Sequence, residues 1–161
     1  MEWTTALRYK RYEDWTEEEK KQIKENMANS PWHTHYHVEP KTGLLNDPNG
    51  FSYFNGKWIL FYQNFPFGAA HGLKSWVQLE SDDLVHFKET GLKVLPDTPL
   101  DSHGAYSGSA MQFDDKLFLF YTGNVRDENW IRHPYQIGAL LDQDGNLEKI
   151  DQILIDQPED A

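Results

Sequence analysis

Asp47 stands in the run Leu44-Leu45-Asn46-Asp47-Pro48-Asn49-Gly50, directly ahead of a strand-like stretch that ends Leu60-Phe61-Tyr62-Gln63. A single carboxylate set at the mouth of an aromatic-rich β unit has the chemistry of a nucleophile toward a sugar. Pro48 biases Asp47 toward an extended backbone, and Asn49-Gly50 then predicts a tight turn. Turn chemistry by itself accounts for all four residues, so spacing alone leaves an ordinary Asp-Pro-Asn-Gly loop open. Gln63 ends an apolar strand, an odd place for an amide unless it faces a site. Trp76 offers a flat face for stacking on a sugar ring. Tyr106 and Ser107, in Tyr106-Ser107-Gly108-Ser109-Ala110, open a second hairpin as Asp47 opens the first. Taken singly, each of these polar groups also reads as a strand-end residue satisfying the backbone.

The histidines suggest other chemistry. His33-Thr34-His35-Tyr36-His37 alternates, and a strand there would put three imidazoles on one face. Nothing else in the chain completes a recognised ligand spacing, so no metal is expected. There is no G-x-S-x-G elbow, no P-loop and no dinucleotide fingerprint, and no cofactor is expected either.

The elements that must position these residues are mostly strands. Thr16 followed by Glu17, Glu18 and Glu19 predicts a capped helix over residues 16–29, stopped by Pro31. Residues 1–30 therefore read as a helical lead-in. From residue 31 onward, strand-like runs alternate with turns rich in Asn, Asp, Gly and Pro. Asn55-Gly56 is a two-residue hairpin signal, and Asp114-Asp115 plays a similar part. The two hairpins match in register: Phe54 with Phe113, Lys57 with Lys116, Leu60 with Leu119, Phe61 with Phe120, Tyr62 with Tyr121, each 59 residues apart. Ser81-Asp82-Asp83-Leu84-Val85 follows the same offset loosely against Leu140-Leu141-Asp142-Gln143-Asp144. A period of this size filled with antiparallel strands predicts an all-β chain of propeller blades, about two of them in residues 31–161. In a propeller, equivalent blade positions converge on one axis, which would bring Asp47 and Ser107 together. Two blades leave open sheet edges: either the chain is a fragment, or it assembles with something else, self-association through those edges included, or the repeat is only a pair of hairpins in a small β domain.

Composition excludes some functions. The formal charge of −11 opposes nucleic acid as a partner and gives no support for docking to anionic lipid. There is no cysteine, hence neither a disulfide framework nor a thiolate metal site. No basic and apolar leader opens the chain and no apolar run is long enough to span a bilayer, so a cytoplasmic location is expected. Aromatic residues make up 14% of the chain, which suits strands and stacking platforms for a small-molecule sugar.

From about Pro31 to Asp160 the chain resembles glycoside hydrolase family 32, the group that includes sucrose-6-phosphate hydrolases and invertases (β-fructofuranosidases). The resemblance rests on five segments in order: His37-Val38-Glu39-Pro40 through Gly50, Leu60-Phe61-Tyr62-Gln63, Ser81-Asp82-Asp83-Leu84-Val85-His86-Phe87, Tyr106-Ser107-Gly108-Ser109-Ala110, and Tyr121-Thr122-Gly123-Asn124-Val125. It implies the first blades of a five-bladed β-propeller and retaining hydrolysis of a β-fructofuranosyl bond. In the resemblance Asp47 matches the nucleophile, Asn46 and Gln63 match residues that hydrogen-bond the fructosyl ring, and Trp76 looks like the stacking Trp. Tyr106 and Ser107 match an aromatic-Ser pair of the same subsite, and Leu44 and Leu45 lie in the loop that shapes the pocket.

This sequence also departs from the family pattern. The family takes its acid/base from a Glu-Cys motif, and this chain has no Cys. Its Arg-Asp-Pro motif is matched only by Arg126-Asp127-Glu128, which lies too early, inside the second blade. The family's motif comes shortly after a segment like Asp156-Gln157-Pro158-Glu159-Asp160, where this chain stops. The expectation is a propeller fragment with the acid/base elsewhere, whose 161 residues alone hydrolyse little or nothing. A non-catalytic sugar-binding or assembly module is the alternative, and an arabinose- or xylose-directed five-bladed hydrolase is a third. His71, Lys74, Arg126, Arg132 and His133 are candidates for holding a substrate phosphate, or else are scattered solvated charges.

Overall fold

A computed structural model describes residues 2–158; Glu159 and Asp160, the last two residues of the quoted family segment, lie outside them. A short helix, α1 (Thr5–Arg8), and a single 3-10 turn (Tyr12–Asp14) precede α2 (Glu17–Ala28). Thr16 caps α2 and Glu19 completes a capping box, as the sequence predicts. Eight strands follow: β1 (Leu44–Phe54), β2 (Lys57–Phe65), β3 (Ser75–Ser81), β4 (Lys88–Val94), β5 (Ala105–Phe113), β6 (Lys116–Arg126), β7 (Arg132–Leu141) and β8 (Leu147–Lys149). They form two antiparallel four-stranded sheets in sequential order, β1-β2-β3-β4 and β5-β6-β7-β8. These are the two expected blades. No helix among the described residues is long and apolar enough to cross a membrane.

The hairpins close where the repeat puts them. Phe54 pairs with Lys57 and Phe113 with Lys116. Asn55 (φ 49°) and Gly56 (φ 77°) both take the left-handed conformation that a tight two-residue turn requires, and Asp114 (φ 52°) does so in the second hairpin.

The main core lies between the blades. Blade one contributes Phe54, Ile59, Phe61 and Trp76; blade two contributes Leu117, Leu119, Tyr121, Ile137, Ala139 and Leu141. Side chains alternate along a strand. In the repeat, Phe61 corresponds to Phe120, yet the partner of Phe61 in the core is the opposite face of β6, carrying Leu117, Leu119 and Tyr121. Equivalent strands thus use opposite faces at the interface, which is what stacking blades in one rotational direction demands. The remaining face of blade one packs on itself through Tyr62, Val77 and Leu79. The remaining face of blade two leaves Met111 and Phe113 exposed.

The lead-in is packed rather than free. Trp15 is buried and stacks flat on Phe67, with ring centroids 4.3 Å apart. Phe65, Phe67 and Leu73 complete a second core with Trp3, Leu7, Tyr9, Tyr12 and Ile23.

One local expectation fails. His33-Thr34-His35-Tyr36-His37 forms no strand, so the alternation that would align three imidazoles does not apply. Glu39 instead folds the segment back: it holds His33 Nδ1 at 2.8 Å and accepts the Thr34 backbone N–H at 2.9 Å.

Candidate active site

The tight turn read at Asp47-Pro48-Asn49-Gly50 is a doubly bulged stretch inside β1. Asn46 pairs with Gln63 and Pro48 with Tyr62, so Asp47 is the unpaired extra residue. Pro48 has no N–H to give the ladder, which favours the interruption at this point. A second shift lies between Asn49 and Ser52. Gly50 (φ 54°) makes it possible: a Cβ there would lie 2.9 Å from the Phe61 ring and 3.1 Å from Ala110 Cβ. Strand β5 bulges at the corresponding place, between Ala105 and Gly108, and pushes out Tyr106 and Ser107.

The two bulges meet. Ser107 Oγ donates to Asp47 Oδ2 at 2.6 Å. Gln63 Nε2 donates to Ser107 Oγ at 2.7 Å and reaches Asp47 Oδ2 at 3.4 Å. Gln63 is buried, so its amide is fixed by this chain of bonds. Asn49 locks the blades beside it: its Oδ1 accepts from Gly108 N–H at 3.0 Å and its Nδ2 donates to the Asp47 carbonyl at 2.8 Å. The Ser107 hydrogen bond, then the residue's own backbone and the charges of Lys74 and His71, hold the Asp47 carboxyl below its ordinary value against a smaller opposing effect of burial. Asp47 is therefore an exposed, oriented carboxylate at neutral pH. Asn46 Oδ1, next to it, is buried with no partner, an acceptor awaiting a donor.

Trp76 is not where the sequence reading put it. It is wholly buried, packs on Phe61 and Tyr121, and donates its indole N–H to the Tyr106 carbonyl at 3.0 Å. A ring without an exposed face cannot stack on a sugar; Trp76 instead pins the β5 bulge from behind. Leu44 and Leu45 are strand residues, not loop residues, and pack into the lead-in core and the outer face of blade one.

Basic and aromatic groups surround Tyr106. The Lys74 ammonium lies 5.5 Å and the Arg132 guanidinium 5.1 Å from its ring centre. Burial, then the neighbouring Tyr9 phenol, push the Tyr106 hydroxyl up to about 12. Arg126 and Arg132 stand directly opposite each other across β6 and β7. Arg126 donates to the Trp130 carbonyl at 3.0 Å, and its buried Nε has no partner. Trp130 holds φ 64°, a conformation costing on the order of 1–3 kcal/mol for such a residue. His133 is engaged elsewhere, 3.2 Å from Asp127 Oδ2. Asp127 Oδ1 accepts from the Asn129 and Ile131 N–H groups, so this carboxylate staples its own turn. Tyr9 and Trp130 carried no sequence signal for the site. Asn49 was visible only as a turn residue.

Residues 37–161 match the family model described as the glycosyl hydrolases family 32 N-terminal domain. The chain belongs to glycoside hydrolase family 32. The sucrose-6-phosphate hydrolase of Streptococcus mutans serotype c is 73% identical over 155 residues, 96% of this chain and 32% of that protein. Among solved structures, sucrose-6-phosphate hydrolase from Lactobacillus gasseri superposes with a TM-score of 0.94 at 50% identity, covering 98% of this chain and 32% of that one. A mutant Bombyx mori family 32 β-fructofuranosidase in complex with sucrose gives 0.72 at 29% identity, over 91% of this chain and 32% of that one. The chain spans about a third of the length of the curated relatives it matches. Their family supplies the β-propeller to which these two blades correspond.

Proposed function

We propose that these blades carry the nucleophile of a retaining β-fructofuranosidase, and that Asp47 is that nucleophile. The observation that carries this reading is the convergence of Ser107 and Gln63 on Asp47 Oδ2. It leaves Oδ1 as the attacking oxygen and keeps the group ionised. Attack on the anomeric carbon forms a fructosyl ester as the bond to the leaving oxygen breaks, and water then hydrolyses the ester. Asn46, with its unpaired amide oxygen, accepts a fructosyl hydroxyl, and Tyr106 walls the same subsite. Retention requires a second carboxyl group about 5 Å from the first, to protonate the leaving oxygen. Among the described residues, the side chains whose charge perturbs Asp47 are the basic groups Lys74 and His71, and no carboxyl group is one of them. The acid/base is therefore assigned to the part of the full-length protein this chain does not span.

In the full-length protein, Asp47→Asn should lower kcat by about 10⁴-fold or more, while binding of fructoside persists. A slow fructosyl substrate should leave a covalent adduct on the Asp47 peptide, detectable by mass spectrometry. Turnover by the Asn variant at a wild-type rate would overturn the assignment. Retained sugar binding with no turnover by the wild type would favour a binding module instead.

A phosphorylated disaccharide fits the site better than a neutral one. Like charges directly opposite in a sheet destabilise it, yet Arg126 and Arg132 are placed so, and Lys74 and Arg132 both approach the Tyr106 ring. An anion between them removes the repulsion, and guanidinium groups suit phosphate. The Streptococcus mutans and Lactobacillus gasseri relatives named above are sucrose-6-phosphate hydrolases. Arg132→Ala should raise KM for sucrose 6-phosphate about tenfold or more and leave KM for sucrose nearly unchanged. Equal effects on both substrates would exclude a phosphate contact.

A further inference from the structure

The N-terminal arm, residues 3–12, lies outside the family match, yet it is bonded to the segment that carries His71 and Lys74. Arg8 Nε donates to the His71 carbonyl at 2.6 Å. The Leu73 N–H donates to the Arg8 carbonyl at 2.7 Å. The Tyr12 hydroxyl donates to the Leu73 carbonyl at 2.9 Å. Two glycines of that segment sit where the arm passes. A Cβ on Gly68 would lie 1.8 Å from the Trp3 ring, and one on Gly72 would lie 2.5 Å from the Arg8 carbonyl oxygen. Contacts this close admit no side chain. The segment is thus shaped to receive the arm along its length.

The arm also brings Tyr9 to the β6–β7 hairpin. Its ring meets Trp130 edge-on with centroids 5.0 Å apart, and lies 5.8 Å from His103. Trp130 is held in its left-handed conformation at the tip of the β6–β7 hairpin and lies under the Arg126 guanidinium, 5.7 Å from ring centre to charge. Tyr9 therefore touches the hairpin that bears both arginines, while its neighbour Arg8 holds the segment that bears Lys74.

We propose that the N-terminal arm is a specificity element of the active site: it sets the distance between Lys74 and the Arg126–Arg132 pair, with Tyr9 as the positioning residue, and so selects the phosphorylated leaving group. This rests on the reading of the site as a phosphofructoside hydrolase. Residues 3–12 make no contact with Asp47 among the described hydrogen bonds, so the chemical step is left to the other groups. The arm acts on binding.

The test uses the full-length enzyme with sucrose 6-phosphate and sucrose as paired substrates. Tyr9→Ala and Gly68→Val, the latter displacing Trp3, should each raise KM for sucrose 6-phosphate about tenfold more than KM for sucrose. Tyr9→Phe, which keeps the ring contact with Trp130, should retain most of the preference, and circular dichroism of each variant checks that it folds. Calorimetric titration with glucose 6-phosphate should show the same weakening without turnover. An unchanged ratio of the two KM values in folded Tyr9→Ala would overturn the arm's role alone. Equal losses on both substrates would also overturn it, because a purely structural contact predicts that. Failure of the wild type to hydrolyse either substrate would overturn the underlying reading, and the arm's role with it.

Discussion

The lowering of the Asp47 pKa comes chiefly from one hydroxyl. Ser107 supplies the largest downward influence on its pKa, ahead of the charges of Lys74 and His71. In the nucleophile role proposed for Asp47 the carboxylate is the attacking form, and a depressed pKa would keep it ionised below the ordinary value of 3.8. Ser107→Ala removes that hydrogen bond and should move the acid limb of the kcat/KM profile upward in pH. It should also lower the plateau, because a hydrogen bond to a charged group is worth about 1.5–3 kcal/mol and here also fixes orientation. A pH–rate profile with an unmoved acid limb would mean that Ser107 does not touch the reacting carboxylate. Gln63 behaves differently. It is buried between Ser107 and the β1–β2 ladder, so its loss should disturb position more than charge.

At the scale of elements, the site is made of bulges rather than turns. β1 departs from regular pairing on both sides of Pro48-Asn49, and β5 departs at Tyr106-Ser107. Each bulge turns a side chain out of the ladder and toward the other blade. Gly50 is the residue that permits the second shift of β1, because its φ of 54° and its contacts with Phe61 and Ala110 leave no room for a Cβ. Gly50→Ala should destabilise the protein by about 1–3 kcal/mol and reduce kcat, since Asp47 is carried on the same bulge. Denaturant unfolding of the full-length protein measures the first effect and steady-state kinetics the second. An unchanged midpoint would show that β1 can absorb a methyl group without losing its irregular register. Trp76 and Asn49 are the supports in this scheme, one tying the β5 bulge through the Tyr106 carbonyl and the other through Gly108 N–H.

At the scale of the molecule, two blades bury one interface and leave two faces. The buried interface packs Phe61 and Trp76 of blade one on Leu119 and Tyr121 of blade two. On the other face of blade two, Met111 is 59% and Phe113 is 61% exposed. Apolar strand faces of this kind mark places where further packing belongs. The 161-residue chain by itself should therefore hydrolyse sucrose 6-phosphate at least about 10²-fold more slowly than the full-length protein, for want of a general acid, and should self-associate in sedimentation experiments. Full-rate turnover by the isolated chain would place the acid/base within these residues and overturn the division of labour proposed here.

Much of this protein was readable from residue types alone. The 59-residue repeat located the two hairpins to the residue, because turn chemistry at Asn55-Gly56 and Asp114-Asp115 acts locally. The capping box of α2 was legible for the same reason. The repeat also put Asp47 and Ser107 at equivalent positions, and the fold brings them to 2.6 Å. Local pattern could not tell which of two aromatic faces a strand would bury. Phe61 and Phe120 are equivalent in sequence, yet one is core and the other is not, because stacked blades use opposite faces. Trp76 misled for the same reason: its burial is decided by a neighbouring blade. Glu39 folded the histidine segment through a side-chain contact that alternation does not encode. Tyr9 and Trp130, far apart in the chain, meet only because the lead-in packs along Gly68 and Gly72. Local chemistry set the two hairpin turns and the helix cap; long-range packing alone decided which groups surround Asp47.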